Sequence, residues 1–67
     1  MNEKLFEKNK SYRLTNIYGS VTLIETRGNK VYIIGGFSTG YAGTIREFTK
    51  FIEGKAEDKE PIKIEQI

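Results

Sequence analysis

Residues 35–54 read G-G-F-S-T-G-Y-A-G-T-I-R-E-F-T-K-F-I-E-G and join a glycine-rich loop to the one segment with clear helical periodicity. Thr44 is a favourable N-cap, and Glu47 follows three residues later. T-I-R-E therefore reads as a capping box that satisfies two backbone N–H groups a helix start would otherwise orphan. The spacing predicts a helix from Ile45, with Ile45, Phe48, Phe51 and Ile52 along one stripe and Arg46, Glu47, Lys50 and Glu53 off it. Gly54 is the expected stop. Tyr41 extends the stripe backwards, which makes Thr39 an alternative cap. Gly40 and Gly43 weigh against it, because glycine inside a helix costs roughly 0.5–1 kcal/mol.

Upstream of the loop the pattern is strand-like. Tyr12–Tyr18, Val21–Arg27 and Lys30–Ile34 are rich in β-branched and aromatic residues and are separated by glycine-containing turns. They predict a three-stranded antiparallel meander. Gly28-Asn29 suits a two-residue hairpin turn, and Gly19-Ser20 can serve the same way. On that register Ile24 opposes Ile33, Thr26 opposes Val31, and Ile17 opposes Thr22. These residues, with Thr15 and Arg13, form the face expected to receive the helix. The other face then carries Tyr12, Leu14, Asn16, Tyr18, Val21, Leu23, Glu25, Arg27, Lys30, Tyr32 and Ile34. One short helix covers one face only, so the apolar residues of the second need the N-terminal arm, the C-terminal tail, a second copy or a ligand.

The flanks are less regular. Residues 1–10 form a mostly charged arm anchored by Leu5 and Phe6, and residues 11–54 form the βββα core. Residues 55–61 read as a charged linker ending at Pro61. In residues 62–67, Ile62 and Ile64 alternate with Lys63 and Glu65, which predicts a C-terminal edge strand with proline at its tolerated first position. The expected fold class is α+β: a small three-stranded antiparallel meander, one helix packed on one face and a short C-terminal strand (βββαβ).

Composition narrows the chemistry. A chain of 67 residues buries only about 60% of its unfolded surface, for a margin of stability of ~3–5 kcal/mol. It contains no cysteine and no histidine, which removes disulfides, a structural zinc site and the commonest general base and nucleophile. Ser11, Ser20 and Ser38 with a lysine, or the linker carboxylates Glu57, Asp58 and Glu60, are what remains. No enzyme, cofactor or metal site is expected. The longest apolar run, Val31–Ile34, is too short to cross a bilayer, and no signal-like h-region is present. A cytoplasmic protein without membrane association is the expectation.

The glycine-rich loop invites comparison with a phosphate cradle, because a helix N-terminus behind such a loop presents free N–H groups to an anion. Gly36, Ser38, Thr39, Gly40 and Gly43 are the candidate anion-binding positions. The P-loop's Lys and Ser/Thr after its last glycine are missing, and so is the dinucleotide fingerprint. The stronger candidate is the aromatic and basic sheet face, with Tyr12, Asn16, Tyr18, Arg27, Lys30 and Tyr32. Tyrosines on a sheet can stack bases while cations meet phosphates. Arg27 and Lys30 would face each other across the hairpin, a repulsive pair unless an anion or Glu25 intervenes.

Three strands followed by a helix, with Y-R at 12–13, G-N-K-V-Y-I at 28–33 and G-G-F-S-T at 35–39, resembles plant ethylene-response-factor domains and the arm-site domains of integrases. That resemblance implies DNA binding by the sheet face. The second strand departs from the plant pattern, with no tryptophan and no arginine before Arg27. The sequence therefore leads to a small non-catalytic accessory or regulatory binding module, with nucleic acid the leading ligand. The alternatives are a protein-interaction module, such as an inhibitor or adaptor of a larger protein of phage or mobile-element type, and a small-nucleotide-sequestering protein. A homodimer is expected.

Overall fold

A computed structural model describes residues 5–36 and 39–67. Strands β1 (Ser11–Thr15), β2 (Val21–Arg27), β3 (Lys30–Gly35) and β4 (Gly40–Thr44) form an antiparallel meander, followed by α1 (Ile45–Glu57) and β5 (Lys63–Gln66). All five strands lie in one sheet of order β4-β3-β2-β1-β5, so β5 pairs with β1 at the edge opposite β4. The α+β class stands, with one strand more than the meander expected from sequence.

That extra strand is β4. Its glycines suggested a loop, yet Gly40–Thr44 pairs with β3, with a one-residue shift between Val31 and Tyr32. Gly40 (φ 134°) and Gly43 (φ 107°) take backbone conformations that side chains disfavour, so the glycines shape a bulged edge strand instead of preventing one. The helix then begins where its capping box requires. Glu47 N donates to Thr44 Oγ1 at 3.1 Å, and Thr44 N donates to Glu47 Oε1 at 2.9 Å.

Gly54 does not end the helix, which continues to Glu57. Lys59 N donates to Ala56 O, and Glu60 N to Lys55 O. Lys59 sits at φ 62°, so a lysine occupies the left-handed position that glycine usually takes in this type of helix ending.

The first hairpin corrects a face assignment. Gly28-Asn29 does form the two-residue β2–β3 turn, with Arg27 opposite Lys30. The β1–β2 connection instead spans Asn16–Ser20. The Asn16 side chain accepts hydrogen bonds from Tyr18 N and Ser20 N, both at 2.9 Å, and its carbonyl accepts from Gly19 N. An asparagine that captures local backbone donors in this way competes with strand extension. β1 therefore stops at Thr15, and Leu14, not Ile17, lies opposite Thr22. An odd shift in register exchanges the two faces of a strand. Tyr12 and Leu14 turn into the core, and Arg13 and Thr15 turn out.

The core lies between the sheet and the helix, built from Tyr12, Leu14, Ile24, Val31, Ile45, Phe48 and Ile52 together with Phe6. Phe6 is 0% exposed, so this residue of the N-terminal arm is a structural part of the core. Its ring lies 5.0 Å from Tyr12 and 5.5 Å from Phe48, centroid to centroid. Buried Thr26 ties the arm down, with its hydroxyl donating to Glu7 O at 2.6 Å and accepting from Lys10 N at 2.9 Å. The arm and β5 are thus both engaged on the helix side or at the edge, and among the described residues nothing covers the opposite sheet face.

Candidate functional site: the open sheet face

Side-chain alternation places Arg13 and Thr15, then Val21, Leu23, Glu25 and Arg27, then Lys30, Tyr32 and Ile34 on the open face. Tyr41 of β4 and Lys63 and Glu65 of β5 join them. A shift between Leu23 and Ile24 sets Leu23 opposite Gly35. A Cβ on Gly35 would stand 3.2 Å from Leu23 Cδ1, so this glycine lets the leucine lie flat across β3. Val21 (46% exposed), Ile34 (44%) and Tyr41 (58%) continue that apolar surface. Tyr32 closes it, with its ring centroid 5.6 Å from that of Tyr41 and the planes tilted by 57°. The result is an apolar band running diagonally from the start of β2 to β4.

Charged side chains border the band along one side, in two groups: one on β1 and β5, the other at the β2–β3 turn. On the β1–β5 side, Arg13 donates through Nε (3.0 Å) and Nη2 (2.8 Å) to Glu65 Oε1, and Lys63 Nζ lies 3.9 Å from Glu65 Oε2. The hydrogen bond from Arg13, then its charge and that of Lys63, hold the Glu65 carboxyl below its ordinary pKa. At the β2–β3 turn, Arg27 Nε donates to Glu25 Oε2, and the guanidinium carbon stands 4.7 Å from the Tyr32 ring centroid. The Glu25 hydrogen bond and its charge raise the Arg27 pKa further. Glu25 thus intervenes beside the repulsive Arg27–Lys30 pair, as the sequence required of it. Lys30 itself has no ion-pair partner among the described residues.

The residues singled out from sequence do not form one site. Arg27, Lys30 and Tyr32 share the open face. Tyr12 is only 4% exposed, on the opposite face, with its hydroxyl accepting from Glu7 N at 2.7 Å; it is a core residue. Asn16 and Tyr18 belong to the β1–β2 turn, where Asn16 is the organiser and Tyr18 is 78% exposed. Both line a cleft of about 300 Å³ on the helix side, with Ile17, Phe51, Lys55 and Ile62 among its other walls.

The candidate anion loop is also dispersed. Gly40 and Gly43 lie in β4, and a Cβ at Gly36 would stand 3.3 Å from Thr22 Cα and from Val21 O. Thr39 is exposed, and Ser38 lies outside the described residues. No cradle is formed by the described members of this set.

No family model, curated protein or solved structure matches the chain. The face itself was partly legible. Arg27, Lys30 and Tyr32 follow from the hairpin register, whereas Arg13 was assigned inward by the shifted first hairpin. Tyr41 falls in the glycine-rich loop of the sequence reading, because Gly40 and Gly43 mask the strand it belongs to. No helix in the described residues is long and apolar enough to cross a membrane.

Proposed function

We propose that this protein is a small non-catalytic interaction module of the cytoplasm that docks on a larger protein through its open sheet face, as an inhibitor or adaptor would. The observation that carries this reading is the exposed apolar band Val21–Leu23–Ile34–Tyr41 with a charged border along one flank. An apolar centre with a polar rim is the usual anatomy of a protein interface. Sheets apolar on both sides are ordinarily covered on both sides.

Nucleic acid, which the aromatic and basic residues expected on the sheet face favour in the sequence, is the second reading. The tilted Tyr32–Tyr41 pair and Lys30, which has no ion-pair partner among the described residues, support it. Against it, Tyr12 is withdrawn into the core, and Arg27 already lies over the Tyr32 ring. Aliphatic Val21, Leu23 and Ile34 offer no stacking surface to a base. Homodimerisation is the third reading, through the same band.

Affinity capture with the parent protein and with Ile34→Glu, each with and without nuclease, tests the proposal. A protein retained by the parent after nuclease, lost with Ile34→Glu and bound directly once purified supports it. Ligands lost on nuclease treatment promote the nucleic-acid reading. A partner equally retained by both forms places the interface elsewhere.

A further inference from the structure

Neither edge of the sheet is a good template for strand addition. β4 is bent by Gly40, Gly43 and its bulge, and β5 carries Lys63 and Glu65 behind Pro61, devices that discourage edge pairing. A partner must therefore meet side chains on the face. The apolar band crosses from β2 to β4, about 10 Å at ~4.8 Å per strand, and climbs roughly four residues, about 13 Å. Its diagonal of ~16 Å matches ~11 residues of α-helix, or about three turns.

Charge decides the partner's composition. Among the described residues the face sets Arg13, Arg27, Lys30 and Lys63 against Glu25 and Glu65 only, and these cations stand together along one flank of the band. The two carboxylates orient the arginines without exhausting them. Arg27 gives Glu25 its Nε, and Arg13 gives Glu65 Nε and Nη2, so each guanidinium keeps further N–H groups for a second carboxylate. A second copy would instead bring two faces with the same cationic excess together.

We propose that the open face receives an acidic amphipathic helix of a partner protein, with its apolar stripe along Val21, Leu23, Ile34 and Tyr41 and its carboxylates on Arg27, Lys30 and Arg13. The inference rests on the protein-docking reading above and names the chemistry of the docked segment. It gives the sheet a second helical layer opposite α1, the arrangement by which a sheet buries both faces.

The test uses a labelled ~14-residue peptide with a leucine stripe at helical spacing and glutamates along one flank of it. Controls are a scrambled peptide of the same composition, a lysine-flanked version and a ~15-nucleotide single strand. Binding is read by anisotropy and amide shifts on the full chain. Saturable binding of the glutamate-flanked peptide is expected, with shifts at Leu23, Lys30, Ile34 and Tyr41. The scrambled peptide and the Ile34→Glu variant should each bind at least ~10-fold more weakly. Lys30→Glu should weaken binding and flatten its salt dependence. Unchanged circular dichroism of these exposed-site variants separates lost binding from lost fold.

Equal binding of the scrambled peptide, shifts confined to the helix-side cleft, or no saturation overturns the inference. So does an oligonucleotide that binds more tightly at the same amides, or a dimer through this face that the peptide does not dissociate. A captured protein that is lost with Ile34→Glu but docks through a segment neither helical nor acidic leaves the protein-docking reading intact and removes this one.

Discussion

The ring of Tyr12 stands edge-on to that of Phe6, with centroids 5.0 Å apart and planes at 82°. A residue of the N-terminal arm is thereby locked to β1. Phe6→Ala removes a fully buried ring and is expected to cost ~3–5 kcal/mol, comparable with the ~3–5 kcal/mol such a chain has to spare. The variant should be largely unfolded in urea concentrations that leave the parent intact. Tyr12→Phe keeps the ring but removes the acceptor for Glu7 N, for a smaller loss of ~1 kcal/mol. A Phe6→Ala midpoint equal to the parent's would show that the arm does not seal the core.

Thr44 closes the capping box with Glu47. Thr44→Ala should destabilise by ~1 kcal/mol, seen as a lower thermal midpoint with an unchanged native far-UV spectrum. Coincident midpoints would place the start of the helix elsewhere.

Two glycines should respond in opposite directions to alanine. At Gly54 a Cβ would meet nothing within 4 Å, so Gly54→Ala should stabilise the helix by ~0.5–1 kcal/mol. At Gly43, φ is +107° and a Cβ would stand 3.0 Å from Glu47 Oε1, the oxygen that accepts from Thr44 N. Gly43→Ala should cost ~1–3 kcal/mol. Denaturant midpoints at constant slope measure both, and a stabilising Gly43→Ala would contradict the β4 geometry.

The Glu65 carboxyl titrates below its ordinary value, chiefly because Arg13 donates hydrogen bonds to it. Its folded pKa is depressed, so the stability it contributes is fully present above the ordinary carboxylate range and is lost as pH falls through the folded pKa. Arg13→Ala should move the Glu65 midpoint upward in a carboxyl NMR titration, and added salt should do so partially because the pair is exposed. A midpoint indifferent to Arg13→Ala would mean that the pair does not persist in solution.

The helix start, the β2–β3 register and the C-terminal strand follow from local chemistry. A capping box, a Gly-Asn turn and a short alternating run each act within a few residues. The first two are found where the sequence placed them, and the third forms a strand that begins at Lys63, two residues beyond the Pro61 expected to open it. The same holds for Arg27, Lys30 and Tyr32, whose shared face is fixed by that turn. What the sequence left undetermined depended on competition over longer distances. Asn16 captured the turn donors and reversed the faces of β1, withdrawing Tyr12 and turning Arg13 outward. Gly40–Thr44 became a strand because β3 offered it a ladder, although its own composition favours a loop. Phe6 is in the core because the rings of Tyr12 and Phe48 pack against it from two separate elements while Thr26 of a third holds the backbone of adjacent Glu7. Local hydrogen bonds and spacing are written in consecutive residues, whereas the parity of a register and the burial of an arm are set by partners distant in the chain, and only the tertiary structure brings those together.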